Sequence, residues 1–281
     1  MLDQKQAVPR LGAHMSIAGG VHFAIERGRA IGCEAIQIFL KNATRWKTKA
    51  LSDQEVELFR AARAGMPVVA HAGYLLNLGV SNPRSVTALA DEIRRAERLG
   101  IEWIVLHPGC HLGAGEVAGL KTVAENLDAA FCATQASRVG IALETTAGQG
   151  TSLGHRLEHL AAIIGASRHP NRLATCLDTC HLFAAGYDIR TQRGYEAVML
   201  ELDTVIGLRR VVVIHLNDSL RALGSRVDRH QHVGKGWLGL ETFRRFLRDE
   251  RWQGLPMVLE TPKGKTMRED IENLQTLRSL L

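Results

Sequence analysis

Val211-Val-Val-Ile-His-Leu-Asn-Asp218 is an apolar run that ends in an imidazole, an amide and a carboxylate. It reads as a β-strand with chemistry at its C-terminal end. The apolar character is continuous rather than alternating, as expected of a strand covered on both faces, and that is the habit of parallel sheets flanked by helices. A polar loop follows and carries Gly224-Ser-Arg-Val-Asp-Arg-His230. Asp228 and His230 stand two apart, so an extended backbone sends both side chains to one face. A carboxylate and an imidazole converging there suit a divalent cation, and the flanking Arg226 and Arg229 suit phosphate.

Working outward, the same unit recurs. Strands are predicted from Leu11 to Ser16, Ala35 to Asn42, Met66 to His71, Trp103 to His107, Ile141 to Glu144, Leu173 to Asp178, Val211 to Leu216 and Met257 to Glu260. Helical periodicity separates them, over Val21 to Gly32, from the Ser52-Asp-Gln-Glu55 capping box to Gly65, and from Asn82-Pro83 to Gly100. It continues over Glu116 to Val139, Leu157 to Ile164, Tyr195 to Leu208, Leu240 to Glu250 and Arg268 to Leu281. Eight strand-then-helix units without a linker predict an α/β fold, a single-domain (β/α)8 TIM barrel over residues 11–281, behind a flexible lead at 1–10. An open doubly wound sheet is the alternative, and the count of eight argues against it.

Length and composition agree. A chain of 281 residues with 46% hydrophobic content fits one barrel. The net charge of +6 and a pI near 9.3 favour an acidic partner, nucleic acid foremost. The first ten residues show no signal-peptide pattern, and no stretch is apolar enough for a membrane span. Five cysteines without a CxxC pair point to a reduced, cytoplasmic setting.

The active site of such a barrel lies at the C-terminal strand ends. There the sequence places His71, His107 with His111 just beyond, Glu144, Asp178 with His181, His215 with Asn217-Asp218, then Asp228 and His230, and finally Glu260. Any one of these is more simply a hydrogen-bonded structural residue. Together they are not, because carboxylates crowded on one rim raise each other's pKa unless cations intervene. Their number exceeds one tetrahedral site and implies two or three metals, with zinc favoured by the mixed His and carboxylate donors. Cys110, Cys176 and Cys180 lie nearby but lack metal-pair spacing, and are read as small core fillers. Clustered metals suit phosphate-ester hydrolysis.

These residues resemble the endonuclease IV family of AP endonucleases. The resemblance is carried by Glu144-Thr-Thr-Ala-Gly-Gln-Gly150, Asp178-Thr-Cys-His-Leu-Phe-Ala-Ala-Gly186, and His215-Leu-Asn-Asp-Ser219 with Gly224–His230. Gly12-Ala-His-Met-Ser16 with Gly19-Gly20, Lys41-Asn42, the H-x-x-Y-L at His71 and the H-P-G-x-H at His107 also match. It implies a three-zinc enzyme that cuts double-stranded DNA 5′ to abasic sites, leaving a 3′-hydroxyl and a 5′-deoxyribose phosphate, and trims blocked 3′ ends. It further implies one metal on His71, His111 and Glu144, and a second on Glu144, Asp178, His215 and Glu260. The third falls to His181, Asp228 and His230. Glu144 and Glu260 carry the catalytic expectation, in a chain expected to act as a monomer.

The family's DNA-inserting residues match Tyr74 and Leu75. Two positions depart: Thr44 stands where the family has an inserted arginine, with Arg45 next to it, and Leu220 stands where lysine is common. Arg45, Arg226 and Arg229 complete the expected DNA contacts. A metal-dependent sugar isomerase of related fold and a non-catalytic DNA-binding barrel are the rival readings. The Asp228–His230 stretch and Tyr74-Leu75 speak against the first, and the intact set of metal-type residues against the second.

Overall fold

The computed structural model describes residues 9–281; most of the lead expected at 1–10 lies outside the described residues. Eight parallel strands close into a barrel: β1 (Arg10–Met15), β2 (Ala35–Phe39), β3 (Val68–His71), β4 (Trp103–Leu106), β5 (Gly140–Glu144), β6 (Leu173–Asp178), β7 (Val211–His215) and β8 (Pro256–Leu259). Each pairs with its sequence neighbours, and β1 joins β8 through Leu11↔Met257 and Gly12↔Val258. The open-sheet alternative is thereby excluded.

Val, Ile and Ala dominate the strands because β-branched and small side chains fit a surface buried on both faces. Val69, Val105, Ala142, Ala174, Cys176, Val213 and Val258 form one buried cluster of small side chains, separate from the larger core. That larger core includes Ile36, Ile104, Leu143, Leu177 and Ile214 from the strands and Ile25, Phe59, Leu89, Phe131 and Phe243 from the helices.

The helices are α1 (His22–Ala30), α2 (Asp53–Arg63), α3 (Pro83–Leu99), α4 (Glu116–Cys132), α5 (Leu157–Ala166), α6 (Thr179–Ala185), α7 (Gln192–Val205), α8 (Leu240–Arg248) and α9 (Arg268–Arg278). The capping box is formed: Glu55 N donates to Ser52 Oγ at 3.2 Å and Ser52 N to Glu55 Oε2 at 2.7 Å. Asn82 caps α3, Pro83 opens it, and Gly100 closes it in the left-handed region.

Helix α4 is shorter than its sequence pattern, ending at Cys132 rather than Val139. Thr134 turns its hydroxyl back to Ala130 O, and Arg172 binds the carbonyls of Val139 and Thr134, which diverts the chain into turns. Gly140 is therefore no helix stop. It opens β5 under Trp103, whose ring carbons would stand 2.2 Å from any Cβ there. Helix α7 starts three residues before the expected Tyr195, because the Thr191 hydroxyl caps Gly194 N at 3.1 Å.

A register shift between Thr175 and Cys176 leaves Asp178 directly opposite His215 on β7. Bulges of this kind re-aim side chains near functional sites. Beyond β7, a two-stranded antiparallel ladder pairs Asp218–Ser219 with His230–Gln231 and so returns the polar loop to the barrel mouth. No helix among the described residues is long and apolar enough to cross a membrane.

Candidate metal centre

Glu144, the last residue of β5, is fully buried at the mouth. Its two carboxylate oxygens face different partners. Oε2 lies 3.2 Å from His71 Nε2 and 3.0 Å from His107 Nε2. Oε1 lies 3.1 Å from His215 Nδ1 and 3.2 Å from His181 Nδ1. Donor atoms of Glu144, Asp178, His215 and Glu260 all fall within 4.8 Å of one another, as do those of His71, His107 and Glu144, and those of Asp178, His181 and His230. Asp228 Oδ1 closes the third set at 3.2 Å from His181 Nε2 and 3.4 Å from His230 Nε2.

The local sequence explains these placements. Asp178 is the N-cap of α6, and its Oδ1 accepts from His181 N at 2.8 Å. The i, i+3 spacing of that cap puts the carboxylate and the imidazole side by side. Oδ2 of Asp178 stays turned to the centre, held by Asn217 Nδ2 at 2.7 Å. Asn217 also accepts from Glu260 N at 2.7 Å, so one amide ties the Asp178 carboxylate to the backbone that carries Glu260.

The imidazoles are oriented from behind. Nδ1 of His71 donates to Ala72 O at 2.8 Å, and Nδ1 of His230 to Glu260 O at 3.1 Å. Nδ1 of His181 donates to Thr145 O at 2.8 Å. Each of these bonds leaves Nε2 with its lone pair facing the cluster. His215 is reversed: Nε2 donates to Gln37 Oε1 at 2.9 Å, which frees Nδ1 toward Glu144, Asp178 and Glu260. Tautomers locked by such outer partners are what metal-binding histidines require. The donor set therefore fits divalent cations.

Electrostatics point the same way. Burial works against ionising Glu144, but the charges of His107 and His215 and hydrogen bonds from His107 and His181 outweigh it and hold the carboxyl well below its usual range. Burial likewise opposes ionisation of Asp228, yet His181 and His230 bring its pKa down to about 2. His181 moves well above the ordinary imidazole value: burial opposes its charge, and Asp178, Asp228 and Glu144 overcome it. Without a cation, protonated imidazoles keep the carboxylates charged; a bound divalent cation would supply that positive charge instead and leave the rings neutral, with the inward nitrogens free to donate. Cys176 and Cys180 are pushed up to about 12 by burial and remain thiols, in keeping with a packing role.

Most of the residues expected at the centre are brought together, with one exchange. His111 does not reach the cluster; its Nδ1 accepts from Gly115 N at 3.0 Å, ahead of α4. His107 takes its place beside Glu144. The reason is local: β4 ends at Leu106, so His107 stands at the strand terminus, while positive φ at Gly109 turns the chain away before His111. Asp218 is structural. Its buried carboxylate accepts from the backbone N–H of Ser219, Gly234, Gly236 and Leu238.

Sequence reasoning did not find Gln37 and His14. Gln37 is fully buried on β2, and its Nε2 donates to Glu260 Oε1 at 2.6 Å and His14 Nδ1 at 3.1 Å. A glutamine inside an apolar strand was the available signal. A further His and carboxylate group, Glu116, His155 and His159, lies under α4. There His159 Nδ1 accepts from Gly154 N at 3.2 Å, so the ring proton sits on Nε2 facing Glu116 Oε2 at 3.3 Å. That arrangement is a hydrogen-bonded clasp, with no lone pair left for a metal at Nε2.

A cavity of about 280 Å³ opens over the centre, lined among others by His71, His107, His181, Asp228, Tyr74 and Lys263. Tyr74 is 72% exposed on its rim and meets Phe39 edge-on at 5.2 Å. Leu75 lines the adjoining depression. The Tyr74 loop is stitched to its neighbours. Tyr74 N donates to Ala43 O at 3.1 Å, and Gly73 N to the buried carboxylate of Glu92, which faces Lys41 at 3.5 Å. Arg45 lies on that adjoining loop, which is a turn rather than an extended segment. Arg45 N closes on Asn42 O at 3.1 Å, and Thr44 turns its hydroxyl to Asn42 Oδ1, leaving the Arg45 side chain exposed. Arg226 and Arg229 are exposed as well, with Arg229 Nη1 folded onto Asp228 O at 2.6 Å.

Comparison with known proteins accords with this geometry. Residues 25–277 match the family model described as a xylose isomerase-like TIM barrel. The chain is 50% identical over 285 residues to the probable endonuclease 4 of Chloroflexus aurantiacus, covering 98% of this chain and 99% of that one. The crystal structure of endonuclease IV from Thermus thermophilus superposes with a TM-score of 0.86 at 41% identity, covering 97% and 98% of the two chains. A D-tagatose 3-epimerase-like protein shares the fold alone, with a TM-score of 0.72 at 20% identity, covering 96% of each chain. The chain belongs to the endonuclease IV family of xylose isomerase-like TIM barrels.

Proposed function

We propose that this chain is a DNA-repair AP endonuclease, cytoplasmic and monomeric. It hydrolyses the phosphodiester 5′ to abasic sites in double-stranded DNA, leaves a 3′-hydroxyl and a 5′-deoxyribose phosphate, and trims blocked 3′ ends. The observation that carries the reading is the division of Glu144: one oxygen faces His71 and His107, the other faces the free Nδ1 of His215. A carboxylate placed between two groups of imidazoles could serve two cations at once.

The proposed ligand sets are His71, His107 and Glu144; Glu144, Asp178, His215 and Glu260; and His181, Asp228 and His230. Zinc held by these residues would supply Lewis acidity toward water, the phosphate and the leaving oxygen. The protein's own contribution is alignment. Gln37 and Asn217 fix Glu260 and Asp178, and backbone carbonyls fix the rings. Tyr74 and Leu75, standing on the rim, act as the wedge that lets the lesion leave the helical stack. Arg45, Arg226 and Arg229 grip phosphates along the same edge.

The test is incision of a duplex carrying one tetrahydrofuran abasic analogue, with and without chelator. Cutting 5′ to the lesion, lost on chelation and restored by zinc, is expected, with about three zincs per chain by elemental analysis. Glu144→Gln and Glu260→Gln should abolish incision while the fold is kept. Failure of the zinc-restored enzyme to cut, alongside turnover of a ketose or aldose, would sink the proposal.

A further inference from the structure

The chain has four tryptophans, and Trp237 alone among them is counted as exposed, at 55%, whereas Trp252 is buried to 1%. Large aromatic surface left in water forgoes the burial that normally stabilises it. Nothing in the loop's own packing asks for this. Val233 and Leu238 already anchor the segment, at 3% and 4% exposure, and the residues pointing outward between them are Lys235 and Trp237.

The tip is also rigid. The buried Asp218 carboxylate holds the N–H groups of Gly234, Gly236 and Leu238 at 3.0, 3.1 and 2.9 Å. Trp237 N donates to Ser219 O at 2.9 Å. Any Cβ on Gly236 would stand 2.3 Å from Ser219 O and 2.5 Å from Asp218 Oδ1, so the chain passes there only as glycine. An ordered, exposed indole on a pinned loop is the form in which binding surfaces present aromatic anchors.

Two observations choose the occupant. The tip is continuous with the metal centre, since Ser219, which holds Trp237, pairs with His230 in the short ladder. Charge agrees: residues 219–239 carry Arg221, Arg226, Arg229 and Lys235 against Asp228, the one acid of the segment, which faces inward to His181 and His230. A polyanion approaching the cleft meets this edge. Leu220, next to Ser219, is exposed as well, at 47%.

We infer that the Lys235–Trp237 tip is a further DNA contact, an inference that rests on the nuclease reading above. Lys235 pairs with a phosphate of the strand flanking the lesion, and the Trp237 indole lies against the adjacent sugar edge.

Steady-state incision of the tetrahydrofuran duplex by the zinc-loaded enzyme tests this. Trp237→Ala should raise KM by about fivefold or more with kcat kept, within the range typical of an aromatic nucleic-acid contact, and Trp237→Phe should restore most of it. Lys235→Ala should lower the slope of log KM against log salt by roughly one. An unchanged KM in Trp237→Ala would overturn the inference. So would sedimentation showing a wild-type dimer that Trp237→Ala converts to monomer at constant KM, because the indole would then serve a second copy. If the wild-type enzyme itself failed to cut, the nuclease reading would fall first, which separates the two failures.

Discussion

Replacing His107 and His111 singly by alanine puts the geometry of the centre to its sharpest test. The two histidines lie four residues apart in the same motif, and only one faces Glu144. His107 Nε2 is 3.0 Å from Glu144 Oε2, with His71 Nε2 3.2 Å from that same oxygen. Structural zinc sites bind with roughly 10–16 kcal/mol spread over about four ligands, or about 3 kcal/mol per ligand. His107→Ala should therefore weaken the site shared by His71 and Glu144 by about two orders of magnitude. His111 gives up only the bond from Gly115 N at 3.0 Å, worth about 1 kcal/mol of stability. The assay is elemental analysis after dialysis against a zinc buffer, with incision measured on the same samples. His107→Ala should lose about one metal equivalent and nearly all activity, and His111→Ala should keep both. The reverse pattern would refute the reasoning.

Three further outcomes are expected. If Tyr74 is the wedge proposed above, Tyr74→Ala should weaken binding to a lesion-bearing duplex about tenfold by anisotropy while changing binding to an intact duplex little. Gly12→Ala should destabilise by more than about 3 kcal/mol in thermal denaturation, since its Cβ would stand 1.7 Å from the backbone oxygen of Ala35. Gly140→Ala, which meets the movable Trp103 ring, should cost less. Asp128 accepts from Ser167 Oγ at 2.6 Å and from Arg168 N and Nε at 3.0 Å. Burial opposes its charge, but those bonds win and depress its pKa. A depressed carboxylate contributes stability above its unfolded pKa and loses it as pH falls through the folded value, so Asp128→Asn should flatten the stability profile below about pH 4.

What could be read from sequence divides by the range of the interaction. The strands were legible because burial on both faces leaves a continuous apolar run, and the helix starts because capping is decided within four residues, as at Ser52 and Asn82. The end of α4 was not, since it depends on Arg172, some forty residues away, binding Val139 and Thr134. The sequence placed His111 rather than His107 at the metal set for a different, local reason. Both offer an imidazole at a strand end, and the strand boundary together with the turn at Gly109 selects between them. Gln37 was hidden because its role appears only when β2, β7 and β8 are seen around one axis.

Fold likeness could not have chosen the chemistry. An epimerase-like barrel superposes at a TM-score of 0.72 with 20% identity, so the architecture is compatible with more than one reaction. What distinguishes this chain is carried by the segments leaving the strands. Asp228 and His230 reach His181 only because the 218–219/230–231 ladder folds the loop after β7 back over the mouth. Asp218 secures that ladder from beneath by taking the N–H groups of Ser219, Gly234, Gly236 and Leu238. It follows that a residue with no place at the reacting atoms should still decide whether the third proposed ligand set, His181, Asp228 and His230, comes together. Asp218→Asn keeps the shape but exchanges one acceptor oxygen for a donor facing backbone N–H groups. Oδ1 accepts from Ser219 and Leu238 and Oδ2 from Gly234 and Gly236, so whichever way the amide turns, two donors lose their acceptor, at about 1–3 kcal/mol each. The variant should therefore retain the barrel by circular dichroism and lose one zinc equivalent. Full metal content in that variant would show that the loop is held by something other than Asp218.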